Sequence, residues 1–218
     1  MKIEHKLPSP YKVLIGMPNQ GEIKTQTMAC LQALWKPERT EGTFTKGTLP
    51  HVARNAICQT AVNGGFTHIM FIDSDMVFPA DTLQKLLSLH ADVATAICYS
   101  RHKPYGPCIY SKVAPRGKND KCGTAIVDER INEEKPFQTQ GCGTAVCLIK
   151  TDIITWLWSK HQEPFDMLEG LGEDLSFCYK IKDRYKIMVE PSIKVGHIGE
   201  YMFTKEDYLR EKENGIHG

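Results

Sequence analysis

Apolar positions along the chain follow two alternating spacings. Val13 to Met17 is a short apolar run closed by Pro18-Asn19-Gln20-Gly21, which predicts a strand followed by a loop. From Glu22 to Trp35 the apolar residues Ile23, Met28, Leu31, Leu34 and Trp35 have helical spacing, and Pro37 closes the segment. Thr40 to Thr48 is rich in Thr and Gly and predicts a short strand or an irregular loop. Val52 to Val62 predicts a second helix, ended by Asn63-Gly64-Gly65. Residues 69–72, Ile-Met-Phe-Ile, form an unbroken apolar run suited to a strand buried on both faces. Pro79-Ala80-Asp81 then leads into a helix with Leu83, Leu86, Leu87 and His90 on neighbouring turns, and Asp92 to Tyr99 is again strand-like.

The second half changes character. Pro115 to Pro136 is polar and aperiodic except for Ala125-Ile126-Val127, which predicts a loop-rich excursion with a hairpin. Thr144–Ile149 reads as a strand and Asp152–Ser159 as a short helix. A helix after Gly172 carries Phe177 and Ile181 four apart, and Tyr185–Val189 is a strand. Pro191–Val195 is a short extended piece ending in Gly196-His197. Thr204 with Asp207 makes a capping box for a last charged helix. The alternation predicts an α/β fold with a mostly parallel central sheet flanked by helices. With no repeat or linker, residues 1–218 read as a single domain.

Composition narrows the picture only a little. A net charge of +1 with 24% charged residues gives no strong field toward nucleic acid or an anionic membrane. The N-terminus lacks the apolar core of a signal peptide and no run approaches a membrane span, so a cytoplasmic location is expected. Eight cysteines contain no C-x-x-C and fall mostly in apolar segments, which suits buried free thiols.

The candidate chemistry starts at Asp73-Ser74-Asp75, directly after the apolar run. Ligands in open α/β sheets bind outside the carboxyl ends of the strands. Residues two apart in an extended segment share one side, so both carboxylates could face one hard cation such as Mg2+ or Mn2+. A capped strand end with solvated acids is the plainer alternative. Glu173-Asp174 opens a helix, where acids also favour the macrodipole. His197 is either structural or the imidazole of a metal shell. Arg54-Asn55 lies early in a helix, where a solvated face is the plain alternative.

Taken in order, these features resemble a glycosyltransferase of the GT-A fold, similar to the family 2 group. The resemblance covers roughly residues 11–200 and rests on "HVARNAI", "HIMFIDSDMVFPADTLQKLL", "CYSRHKPYGP", "GCGTAVCLIKTDII", "EPFDM" and "GEDLSFCYKIKDRYKIMVEPSIKVGHIG". It implies a nucleotide-sugar-binding half at about 11–110, an acceptor and catalytic half at about 111–200, and a helix or tail at 201–218. Asp75 would ligate Mn2+ (or Mg2+) with His197, and Asp73 would reach the metal, a metal-bound water or the ribose. Pro18, Asn19, Arg54 and Asn55 would lie around the nucleotide. Gly141, Cys142 and Gly143, with Thr144, would floor the donor sugar and acceptor, with Glu173 beside them. Asp174 would be the general base of an inverting transfer to an acceptor hydroxyl.

The donor would be a nucleoside-diphosphate sugar, with UDP favoured. The acceptor stays open among a modified DNA base, a protein and a glycan. One departure stands out. The stretch from 36 to 51 is too short for a full second strand–helix unit, so the family's nucleobase-binding acid has no clear match in Glu38 or Glu41. A haloacid-dehalogenase-like phosphohydrolase also uses D-x-D at a strand end, but it opens its fold with that strand. A non-catalytic nucleotide-sugar-binding module would not need Asp174.

Overall fold

The computed structural model describes residues 6–7, 10–19, 21–101, 104–118 and 122–199. The first half runs β1 (Lys6–Leu7), β2 (Val13–Asn19), α1 (Thr25–Ala33), β3 (Lys36–Pro37), β4 (Thr40–Lys46) and α2 (Pro50–Asn63). It continues with β5 (His68–Ile72), β6 (Met76–Val77), α3 (Thr82–Ser88) and β7 (Val93–Thr95). The second half holds β8 (Ile109–Ala114), β9 (Thr124–Val127), β10 (Phe137–Thr139), β11 (Gly141–Cys142) and β12 (Val146–Lys150). After these come α4 (Thr151–Ser159), α5 (Glu173–Ile181), β13 (Ile187–Val189) and β14 (Gly196–His197). The helix expected from Thr204 lies outside the described residues.

Among the described residues, seven strands form the central sheet in the order β10-β13-β7-β12-β5-β2-β4. The parallel pairing expected from the sequence holds for β4 with β2, β2 with β5, and β7 with β13. The sheet is nonetheless mixed. β12 runs antiparallel to both β5 and β7, and β10 runs antiparallel to β13. β12 enters from the second half of the sequence between two strands of the first, so both halves share one sheet.

Strand alternation divides the core into two layers. Ile69 and Phe71 of β5, with Cys147 and Ile149 of β12, face a layer that includes α2, α4 and α5. Met70 and Ile72, with Val146 and Leu148, face the layer that includes Leu34 and the α3 leucines. Every residue of β5 is buried, as its unbroken apolar run required. Helix α2 packs very close to β2, because a Cβ on Gly16 would stand 2.4 Å from Cγ2 of Ile57. Among the described residues no helix is long and apolar enough to cross a membrane.

Differences from the expected elements have local causes. β4 is a full edge strand despite its Thr and Gly content, since it pairs along all of β2. α3 stops at Ser88, and His90 turns into the left-handed region at φ 48°. β7 is shorter than expected because the chain leaves the sheet after Thr95 and pairs with itself at Tyr99 and Pro107. The Ala125-Ile126-Val127 island forms β9, but its hairpin partner is β8, which precedes the stretch where the hairpin was expected.

His68 begins β5, is nearly buried, and lies directly across from Lys150 of β12. Burial and the Lys150 charge push its imidazole down to about 4. The unfolded chain takes up a proton near pH 6.5 that the folded chain refuses until about pH 4. Stability contributed by this residue is therefore complete above pH 6.5 and lost as pH falls across that window. In thermal melts the Tm should drop less steeply between pH 6.5 and 4 for His68→Asn than for the native protein. Parallel slopes would contradict the assignment.

Candidate functional site

The parallel strands β2, β4, β5, β7 and β13 all point their carboxyl ends to one edge of the sheet. Antiparallel β12 brings its entry to that same edge, where the Asp73 N–H donates to the Ala145 carbonyl at 2.9 Å. An open cleft of about 630 Å3 lies there, within the size range of small-molecule sites. Pro18 and Asn19 line it from the end of β2, and Thr48 and Pro50 from the turn into α2. Asp73, Ser74 and Asp75 follow β5, Arg101 follows β7, and Glu173 and Asp174 open α5.

Arg54 is the hub. On α2 it sits on the stripe of Ile57, Cys58 and Ala61 that faces the sheet, and its side chain is only 4% exposed. Its Nε donates to the Thr144 hydroxyl at 2.7 Å and its Nη2 to Asp73 Oδ1 at 3.1 Å. Asp174 Oδ1 lies 3.5 Å from Nε, and the Phe71 ring lies below, 5.8 Å from the guanidinium carbon. Burial alone would lower the Arg54 pKa, but the charges of Asp73, Asp174 and Glu173 outweigh it and hold it above its ordinary value.

Asp174 is held from below. The Thr144 N–H donates to its Oδ2 at 3.2 Å, and the Thr144 hydroxyl donates to its Oδ1. Its side chain remains 27% exposed toward the cleft. The neighbouring Glu173 has its carboxyl raised above the usual range, first by burial and then by the Asp174 charge. Burial also raises Asp73, by more than Arg54 draws it down.

The segment 73–75 is a turn rather than extended chain, with the Met76 N–H returning to the Asp73 carbonyl at 3.4 Å. The two carboxylates accordingly find different partners. Asp73 goes to Arg54, while Asp75 faces His197 Nε2 at 3.3 Å and Arg101 Nη1 at 2.8 Å. His197 arrives because β14 pairs with β6, placing His197 opposite Met76, and because the Ile198 N–H donates to the Asp75 carbonyl. Burial pushes the Asp75 carboxyl up, but its His197 hydrogen bond and the His197 and Arg101 charges prevail and hold it below the usual range. The hydrogen bond to Asp75 raises His197.

Among the described residues no three His, Cys, Asp or Glu side chains are gathered closely enough to hold a metal ion. The donor chemistry at Asp75 and His197 still suits a hard divalent cation. His197 Nδ1 donates to the Tyr99 carbonyl at 2.8 Å while Nε2 donates to Asp75, and a cation taking the place of the Nε2 proton would find a nitrogen lone pair beside a carboxylate oxygen. Nδ1 carries a proton in that bond, since a carbonyl can only accept.

Not every residue named from the sequence faces the cleft. Asn55 instead clamps the loop before α5, accepting from the Phe165 N–H at 2.9 Å and donating to Asp166 at 3.0 Å. Gly141 and Cys142 are buried behind Asp174. A Cβ on Gly141 would meet Val113 at 2.5 Å, and the Cys142 N–H points to the Cys178 sulfur. Gly143 lies between Cys108 and Asp174, donating to the Cys108 carbonyl at 2.8 Å. Glu22, Lys24, Thr48, Ser74 and Arg101 also line the cleft, beyond the residues expected there. Of these only Arg101 carried a signal, a cation just past the apolar run that becomes β7.

Solved structures that share the fold include two that cover most of this chain. A197 from STIV superposes with a TM-score of 0.63 at 18% identity, over 87% of this chain and 86% of that one. TarS 1–349 from S. aureus, in complex with UDP-GlcNAc, superposes with a TM-score of 0.50 at 14% identity, over 94% of this chain and 66% of that one. At these identities the likeness is one of fold, and the chain has the GT-A fold that the sequence led us to expect. No protein-family profile and no curated protein matches the sequence.

Replacing Arg54 tests whether it is the keystone of this site. Arg54→Met keeps the volume but leaves two carboxylates facing each other without a counter-charge. Asp73 and Asp174 are 30% and 27% exposed, so solvent softens the loss. A destabilisation of about 2–3 kcal/mol in urea unfolding is expected, below the full effect of breaking a buried pair. A change under about 1 kcal/mol, the range of an exposed pair, would show that Arg54 is not needed to hold the cluster.

Proposed function

We propose that the protein is a divalent-cation-dependent glycosyltransferase, moving a sugar from a nucleoside-diphosphate sugar to an acceptor hydroxyl with inversion. The observation that carries this is the division of the cleft's acids into two groups. Asp75 stands with His197 Nε2 on one side, and Glu173 with Asp174 heads α5 on the other. A displacement at a sugar carbon needs that division, since charge builds on the leaving group while a proton must be taken from the attacking oxygen.

In this reading Pro18 and Asn19 lie against the nucleoside, and UDP is the favoured nucleotide, in keeping with the UDP-GlcNAc held by TarS on the same fold. Asp75 and His197 would hold Mn2+ or Mg2+, with Asp73 nearby to bind the ribose or a metal-bound water. That cation would neutralise the charge developing on the departing diphosphate. Thr144 and Arg54 fix the Asp174 carboxylate at the head of the helix. Its exposed side takes the acceptor proton as the acceptor oxygen bonds to the anomeric carbon and the bond to the diphosphate breaks. Gly141, Cys142 and Gly143 act from behind, allowing the chain beneath Asp174 to pack closely.

Donor recognition is tested by Tm shifts with UDP, GDP, CDP, ADP and TDP in Mn2+, since a ligand of the folded state raises the Tm. At least one should stabilise the protein, UDP most, and the shift should vanish in chelator. No shift with any of the five would contradict the donor reading.

Catalysis is tested separately. Asp174→Asn should lower transfer by roughly two to four powers of ten while the nucleotide-induced Tm shift survives. NMR of the product should show an inverted anomeric centre. A retained configuration would assign Asp174 another role.

A further inference from the structure

Arg101 has no part in the reaction as described so far, yet its side chain reaches into the cleft at the proposed cation site. Its Nη1 lies 2.8 Å from Asp75 Oδ2, while Oδ1 of the same carboxylate faces His197 Nε2. Both oxygens of Asp75 are thus engaged, one by an imidazole and one by a guanidinium.

The backbone makes this arrangement specific. The chain leaving β7 folds back on itself, with the Cys108 N–H donating to the Cys98 carbonyl at 2.8 Å and the Ser100 N–H to the Gly106 carbonyl at 2.9 Å. Tyr99, two residues before Arg101, accepts the Nδ1 proton of His197. The segment that orients the imidazole therefore also delivers the guanidinium. Asp75 is largely shielded from water, whereas the Arg101 side chain is 47% exposed. Arg101 can change partner without disturbing the core, and Asp75 loses a nearby cation when it does.

Resting on the donor-site reading above, we propose that Arg101 is a diphosphate-binding residue that stands on Asp75 in the absence of donor, so that cation and diphosphate bind as a pair. A divalent cation approaching Asp75 and His197 meets the positive guanidinium and must displace it. Without a diphosphate the displaced guanidinium simply loses its 2.8 Å pairing with Asp75. With one, its planar fork can take two phosphate oxygens beside the cation. Each ligand thereby raises the affinity of the other by the same factor, as linkage requires.

The test measures binding rather than turnover. Free Mn2+ is followed by electron paramagnetic resonance, and UDP binding by calorimetry in Mn2+ with the buffer association of the two subtracted. Native protein, Arg101→Gln and Arg101→Lys are compared. Without UDP, Arg101→Gln should bind Mn2+ roughly five- to twenty-fold tighter than the native protein, within the usual span of coupling between sites. With Mn2+ present it should bind UDP at least about five-fold weaker, and the mutual enhancement should collapse. Arg101→Lys, which keeps the charge without the fork, should fall between.

Unchanged or weaker Mn2+ binding by Arg101→Gln without UDP would overturn the inference. If the native protein shows the mutual enhancement and Arg101→Gln shows it equally, the inference about Arg101 fails and the donor site stands. If the native protein binds neither Mn2+ nor UDP in any combination, the donor-site reading fails and takes this inference with it.

Discussion

A guanidinium buried against a phenyl ring cannot be left without counter-charges, and that requirement at Arg54 organises the rest of the site. Taking an ion out of water is expensive unless nearby groups replace its hydration. Here the replacements come from three distant parts of the chain: Asp73 after β5, Thr144 before β12, and Asp174 at the head of α5. Each is drawn toward one point under the cleft. The helix, the strand exit and the strand entry are thus locked at the position where chemistry would occur.

Sheet topology makes this convergence possible. Had β12 run parallel to its neighbours, its entry would lie at the far edge of the sheet, away from Asp73. Running antiparallel, it sets Val146 beside Ile72 and brings Thr144 and Ala145 to the carboxyl edge. β14 does the equivalent for His197 by pairing with the short β6 just beyond Asp75. The cleft's two acidic groups therefore have different anchors, Asp75 beside the β14–β6 pairing and Asp174 in the Arg54 cluster. In the proposed reaction that separation keeps leaving-group stabilisation and proton removal apart.

Much of this was legible in the residues, and the limits have physical causes. The apolar run before Asp73, the helix after Gly172 and the edge position of the acids follow from local patterning. Arg54 could have been identified as buried, because it interrupts the apolar stripe of Ile57, Cys58 and Ala61. The geometry of Asp73-Ser74-Asp75 could not, since a strand's end and the turn after it carry the same residues whether the next step is extended or bent. Asn55 shows the same limit. Its neighbour Arg54 turns to the sheet, and one helical step carries Asn55 to the loop at Phe165 and Asp166. The pairing of Arg101 with Asp75 depends on how the chain leaves β7, which periodicity does not encode.

The central claim is that Asp75 and His197 Nε2 face one cation beneath the diphosphate of a donor. A crystal grown with Mn2+ and UDP, with data collected at the manganese absorption edge, tests it most directly. The account predicts an anomalous peak between Asp75 and His197, with the UDP phosphates on it and His197 Nδ1 still bound to the Tyr99 carbonyl. An anomalous peak elsewhere, or bound UDP with the Arg101–Asp75 pair intact and no metal between Asp75 and His197, would contradict it.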